Sequence, residues 1–192
     1  NLFMGNSADV KVNGKTVHLQ QQTDYPWSGN IQLNVSPKGK QTFNLKIRIP
    51  GWVKNSAVPG NLYSYTDKKN LHYSIKVNGK AVEATEEKGY FTIQRSWKKG
   101  DSVEIHFDIE ARTVKAHPLV EADRGKIAIE RGPLVYCAEW PDNDFSVLSI
   151  LLNKKPQFEV LSKPELLYGI NMLQTDAQTL SYDANGRLVA KD

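Results

Sequence analysis

The sequence holds one cysteine in 192 residues, Cys137. A single thiol closes no internal disulfide, so a disulfide-stapled scaffold is excluded and the fold must rest on its core. The lack of disulfides leaves the compartment open, because many exported bacterial proteins also lack them. No apolar run reaches the roughly 18 residues that a membrane-spanning helix requires. Histidine is sparse: His18, His72, His106 and His117 stand apart, and none sits in a metal-binding spacing such as HExxH. An excess of one charge is also missing. Lys and Arg total 25 against 21 Asp and Glu, and the basic residues are scattered and interrupted by acids, as in "WKKGD". That pattern argues against nucleic-acid binding. The chain opens "NLFMGNSADV", with neither an initiator Met nor a signal peptide. It reads as a sequence entered midway, with any targeting signal upstream.

What is present is alternation. "FNLKIRI" sets Phe43, Leu45, Ile47 and Ile49 on one face and Asn44, Lys46 and Arg48 on the other. "SVEIHFDIE" does the same with Val103, Ile105, Phe107 and Ile109, and "NIQLNVS" with Ile31, Leu33 and Val35. A period of two this regular predicts half-buried antiparallel strands. Two near-copies, "VKVNGKTVHL" and "SIKVNGKAVE", place Asn13-Gly14 and Asn78-Gly79 between alternating runs. Asn-Gly suits a tight hairpin turn because both central residues need φ > 0. Further turns are expected at Gly100-Asp101 and Asn185-Gly186. Long helices are not expected, and "KPELLYGIN" reads as a loop leading into a strand. The fold class is therefore all-β, an antiparallel β-sandwich. The pattern changes after Ala111, where "ARTVKAHPLVEADRGK" reads as a connector. Two consecutive sandwich domains are expected, residues 1–112 and 113–192, the second small or incomplete. In "KIAIERGPLVYCA" the Gly132-Pro133 break reads as a bulge or edge kink.

Each candidate site has a structural reading beside the chemical one. Cys137 lies in "RGPLVYCAEW" between Glu130 and Glu139. It could be a nucleophile or a metal ligand; the strand pattern favours a buried thiol. Glu104, Asp108 and Glu110 share the polar face of one strand. Solvation explains them better than a pair of glycosidase carboxylates does. The loop aromatics Tyr25, Trp27, Trp52, Tyr63 and Tyr65 sit beside Pro and Gly. They are candidates for stacking on a sugar or for an interdomain surface, against core packing as the alternative.

The segments "LKIRIPGWVKN", "IKVNGKAVE" and "GYFTIQRSWKKGDSVEIHFDIEARTVKAHPLVEADRGKIAIERGPLVYCAE", in this order, resemble the C-terminal part of glycoside hydrolase family 127, a bacterial family that includes β-L-arabinofuranosidases. The resemblance spans residues 1 to about 140, and "LLYGINML" fits the family's next strand. It implies an (α/α)6 catalytic barrel preceding two β-sandwiches. The family's zinc-bound cysteine nucleophile and glutamate acid/base lie in that barrel, near an adjacent cysteine pair. This chain has no Cys-Cys pair, so no catalytic residue, metal site or cofactor is carried over to it. The resemblance implies a non-catalytic accessory region that stabilises a barrel absent from this sequence. The alternative is a module that recognises plant oligosaccharide through the loop aromatics. A polysaccharide-degrading parent would act in the periplasm or outside the cell.

Overall fold

The computed structural model describes residues 3–82, 85–143 and 145–191. The chain is all-β and divides into two compact units, Asn1–Leu134 and Val135–Asp192. In the first, the strands are β1 (Asn6–Val12), β2 (Lys15–Thr23), β3 (Asn30–Pro37), β4 (Gln41–Arg48), β5 (Tyr63–Tyr65), β6 (Tyr73–Val77), β7 (Lys80–Ala81), β8 (Thr85–Glu87), β9 (Tyr90–Trp97), β10 (Asp101–Phe107), β11 (Ala111–Ala116) and β12 (Ile127–Arg131). β13 (Leu134–Tyr136) lies across the division.

Two antiparallel sheets, ordered β1-β2-β3-β10-β6-β7 and β4-β9-β8, share one core. The period of two appears as predicted. Along β10 the buried Val103, Ile105 and Phe107 alternate with Ser102, Glu104 and His106. Ile31, Leu33 and Val35 of β3 and Ile47 of β4 point into the same core. Each such side chain stabilises the fold by roughly 1.5–3 kcal/mol through removal from water. Trp97, fully buried at the end of β9, stacks on Phe43 with ring centroids 5.7 Å apart, and its indole N–H donates to the Phe43 carbonyl at 3.1 Å. The buried nitrogen is thereby satisfied, which lets a large ring fill the core without a polar penalty.

The twin turns take the expected conformation. Asn13 and Gly14 have φ of 49° and 76°, and Asn78 and Gly79 of 52° and 75°. They connect β1 to β2 and β6 to β7. A third turn of this hand, Lys88-Gly89, joins β8 to β9 at φ of 52° and 78°. The Gly29 backbone lies so close to β10 that a Cβ there would stand 1.8 Å from the Phe107 carbonyl oxygen. Only glycine fits.

Two local readings need correction. The stretch read as a connector after Ala111 is β11, which pairs with β12 on one side and β5 on the other. Val114, buried at its centre, supplies the apolar drive that the surrounding Arg, Lys and Thr conceal in the sequence. Gly132-Pro133 is a two-residue turn between β12 and β13, with Gly132 at φ 59°, and not a bulge. The first compact unit extends past residue 112 because β5, inserted between β4 and β6, recruits β11 and β12 to it.

The second unit contains β14 (Ile150–Leu152), β15 (Glu159–Lys163), β16 (Ile170–Gln174), β17 (Ala177–Tyr182) and β18 (Leu188–Lys191). They form a sheet of order β14-β17-β18 and the antiparallel pair β15-β16. "KPELLYGIN" forms the loop of the β15-β16 hairpin, where Leu167, Tyr168 and Gly169 all take positive φ. The Asn185-Gly186 turn is organised by Asp183, whose carboxylate accepts from the amides of Asn185 and Arg187, each at 2.8 Å. Among the described residues of this unit no side chain is buried.

Candidate functional site

The five aromatic candidates fall into three places. Tyr25 and Trp52 meet at one end of the first sandwich. Tyr25 packs edge-on against Phe3 and Trp52 edge-on against Phe107, with centroids 5.7 and 5.9 Å apart. Burial raises the Tyr25 phenol above its usual pKa, outweighing a lowering influence of Trp52. Trp52 is 8% exposed. Its ring closes the end of the core beside the short 3-10 turn Gly51–Lys54. Trp27 is half-buried in the tight turn after β2, where its amide donates to the Asp24 carbonyl at 2.8 Å. Its carbonyl accepts from the Arg131 guanidinium at 3.3 Å.

Tyr63 and Tyr65 both lie on β5. The Tyr63 hydroxyl donates to Asp123 at 2.9 Å, and that hydrogen bond raises its pKa. Tyr65, 9% exposed, donates to Glu130 at 2.7 Å. Burial first, then this hydrogen bond, push its phenol far above the ordinary range. Both are neutral donors under all physiological conditions.

Beneath Tyr65 lies a network that the sequence did not reveal. Arg112 on β11 is 3% exposed, and its guanidinium carbon stands 3.6 Å from the Tyr65 ring centroid. Its Nε and Nη2 donate to one Asp67 carboxylate oxygen at 2.9 and 2.7 Å, and Nη2 also reaches Asn55 Oδ1 at 2.6 Å. Asn55 takes φ 61° at the end of the 3-10 turn. The Thr66 and Thr113 hydroxyls hydrogen-bond alongside. A buried cation held by a carboxylate, an amide and an aromatic face pins the 50–67 segment to β11. The one available signal was Arg112 sharing strand parity with Val114 in "ARTVKA".

The carboxylates of β10 and its extension are each engaged separately. Glu104 accepts from the Gly79 amide at 3.1 Å, and Glu110 pairs with Lys69 at 2.6 Å. Asp108 accepts from the His72 amide at 2.9 Å and contacts His106 at 3.1 Å. The His72 amide is the main cause of a pKa below the usual aspartate value, so Asp108 is a poor proton donor. This row does not face a shared cleft in the manner of a glycosidase pair. Cys137 corrects the expectation of a buried thiol. It is exposed, with its sulfur 3.9 Å from Glu139, one residue beyond the end of β13 at Tyr136. Among the described residues no three His, Cys, Asp or Glu side chains come together in a group that could hold a metal ion.

Comparison with known proteins decides the relationship. Residues 1–109 match the family model for the β-L-arabinofuranosidase GH127 middle domain, and residues 111–181 match that for the glycoside hydrolase family 127 C-terminal domain. The chain belongs to glycoside hydrolase family 127. It is 33% identical over 146 residues to a non-reducing end β-L-arabinofuranosidase of Bifidobacterium longum subsp. longum, covering 73% of this chain and 19% of that protein. The structure of the GH127 β-arabinofuranosidase BT3674 superposes with a TM-score of 0.93 at 56% identity, over all of this chain and 30% of that one. Ara127N, a GH127 β-L-arabinofuranosidase of Geobacillus stearothermophilus T6, gives 0.81 at 32% identity, over 95% of this chain and 26% of that one. The chain thus spans under a third of the length of these GH127 relatives. The two family segments meet between residues 109 and 111, inside the first compact unit and next to Arg112.

Proposed function

We propose that this GH127 region is non-catalytic, and that it packs against and stabilises an (α/α)6 catalytic barrel of a β-L-arabinofuranosidase-like hydrolase. The observation that carries this reading is the surface of the second unit. Val135, Trp140, Leu148, Leu167, Tyr168 and Tyr182 are each more than half exposed, while no described residue of that unit is buried. A unit of 58 residues is marginal at best, and one with no buried side chain among its described residues has little apolar burial to offset its chain entropy. Exposed aromatic and aliphatic residues in such number are typical of a surface that another domain covers. The much greater length of the relatives offers such a domain. In the first unit Trp27, half-buried and on a loop, is the aromatic candidate that stays available for an interdomain contact of its own. The alternative, recognition of plant oligosaccharide by the loop aromatics, would require free ring faces. Those of Tyr25, Trp52 and Tyr65 are engaged in packing.

Mixing this region with a separately produced GH127 barrel tests the reading. The expected result is a higher melting temperature for the barrel and a loss of hydrophobic-dye binding by this region. No change in either would reject it. Turnover of a β-L-arabinofuranoside by this region alone would reject its non-catalytic character.

A further inference from the structure

Six lysines that are scattered in the sequence are gathered by the fold. Strand register puts four turns at one end of the first sandwich: Val17 lies opposite Pro37, Val35 opposite Asp101, Val77 opposite Val103 and Gln41 opposite Trp97. Lys15 follows the first Asn-Gly turn, Lys38 and Lys40 flank Gly39, Lys80 follows the second Asn-Gly turn, and Lys98 and Lys99 precede Gly100. All six are exposed. None takes part in an ion pair among the described residues. The acids near these turns are engaged elsewhere: Asp101 is 1% exposed, bound to Asn78 and the Lys98 amide and 3.9 Å from Arg95, Glu104 accepts from the Gly79 amide at 3.1 Å, and Asp9 pairs with His18 at 2.8 Å. At the opposite end the charges are mutually compensated, with Lys54 on Glu86, Lys69 on Glu110 and Arg112 on Asp67.

We propose that this lysine-bearing end binds an acidic, uronate-containing polysaccharide. Uncompensated like charges on tight turns cost self-repulsion, which an anionic partner relieves. Between Lys38 and Lys99 lies a shallow depression of about 400 Å³ lined also by Thr16, His18, Ser36 and Pro37. Hydroxyls beside ammonium groups suit a hydroxylated chain with periodic carboxylates; the His18 ring is held at its Nδ1 by Asp9 at 2.8 Å. At this end Arg95 is committed to Asp101 and to the Trp97 ring, and Trp97 itself is fully buried, so neither offers a free arginine fork for phosphate or an open ring for a nucleobase. The inference is independent of barrel packing, since the apolar surface invoked for that belongs to the second unit and Trp27 lies in the turn at the far end of β2 and β3 from the lysines.

The test is binding of the full chain to polygalacturonate, with neutral arabinan, duplex DNA and phosphatidylserine vesicles as comparison ligands. The expected result is binding to polygalacturonate that weakens roughly tenfold or more between about 0.05 and 0.5 M salt. The variant Lys38→Gln/Lys80→Gln/Lys99→Gln should lose most of this affinity while keeping its melting temperature. Lys54→Gln/Lys69→Gln/Lys88→Gln, which removes the same charge at the other end, should bind as the parent does. Equal loss in both variants, equal binding to arabinan, DNA or vesicles at least as tight, or no binding to polygalacturonate would each overturn the proposal. So would competition by a GH127 barrel, because the lysines would then serve the interdomain contact. That last outcome leaves the barrel-packing reading standing, so the two can fail separately.

Discussion

The side chain of Asn78 is clamped to the start of β10: its amide nitrogen donates to Asp101 Oδ1 at 2.9 Å, and its oxygen accepts from the Ser102 amide at the same distance. Its backbone N–H also donates to the Ser102 carbonyl at 2.9 Å. Asn78 therefore does two things at once. It occupies the left-handed region that the turn demands, and it satisfies the buried carboxylate that begins the neighbouring strand. Asn13, at the equivalent point of the other near-copy, faces no such neighbour, because the strand beside its turn is the edge strand β1.

The two asparagines should accordingly respond differently to the same change. Asn78→Gly keeps the turn but strips Asp101 of a partner and should cost about 1–3 kcal/mol. Asn13→Gly should stay within about 0.5 kcal/mol of the parent. Urea unfolding of both variants measures the contrast, and equal costs would refute the clamp.

Asp101 should also leave a signature in the pH dependence of stability. Burial pushes its pKa up, but the Asn78 side chain, the Lys98 amide and the charges of Arg95 and Lys98 outweigh burial and leave it below the usual value. A depressed folded-state pKa means that the stabilisation is fully present above the unfolded-state pKa of about 3.9 and is lost as pH falls through the folded-state value. The gap in stability between the parent and Asp101→Asn should therefore be constant above about pH 5 and should close below about pH 4. A gap that is independent of pH across this range would contradict the assignment.

Arg112 should behave as the pin of the first unit. Arg112→Ala removes the bonds to Asp67 and Asn55 and the packing on Tyr65; because Asp67 stays partly exposed to water, the cost should be about 1–3 kcal/mol. Arg112→Lys should recover little of this, since an ammonium cannot reproduce both the fork to Asp67 and the stacking on Tyr65. Limited proteolysis provides a local readout. Cleavage should accelerate within the Ser56–Asn61 loop in both variants while the β2-β3-β10 core stays protected.

Lys88 takes φ 52° with no glycine or asparagine to ease it. Lys88→Asn places in that turn the residue already used in the other two and should raise stability by a few tenths of a kcal/mol. Thermal unfolding should show a small upward shift, and a decrease would mean that the weak contact of Lys88 with Glu87 at 3.6 Å matters more than the backbone does.

The strands were legible wherever burial is one-sided. Ile31, Leu33 and Val35 or Val103, Ile105 and Phe107 alternate because one sheet face meets the core and the other meets water. The Asn-Gly turns were legible because their backbone demands a particular chemistry. β11 was not, since its stability comes from Arg112 bonded to residues far away in the sequence, and periodicity sees only apolar partners. The Lys88-Gly89 turn escaped for the converse reason: lysine tolerates the geometry but does not advertise it. Cys137 was misread because a strand pattern gives parity without saying where the strand ends. The gathering of lysines was invisible because it depends on register, which no local window contains.

Asp67 and Arg112 stand on opposite sides of the junction between the two GH127 family segments, and β5 pairs with β11 across it. Sequence families are commonly treated as interchangeable modules, and this junction shows a limit to that treatment. A chimera that exchanged only the segment after residue 110 with that of a relative would need to match the donor's strand to this chain's Tyr65, Asp67 and Asn55. Unless those residues travelled with it, a foreign side chain would meet a carboxylate and an amide already committed to a guanidinium. Shuffling between family members is therefore compatible with this structure at the turns of the first sandwich, and incompatible with it at the seam that sequence comparison marks as the natural place to cut.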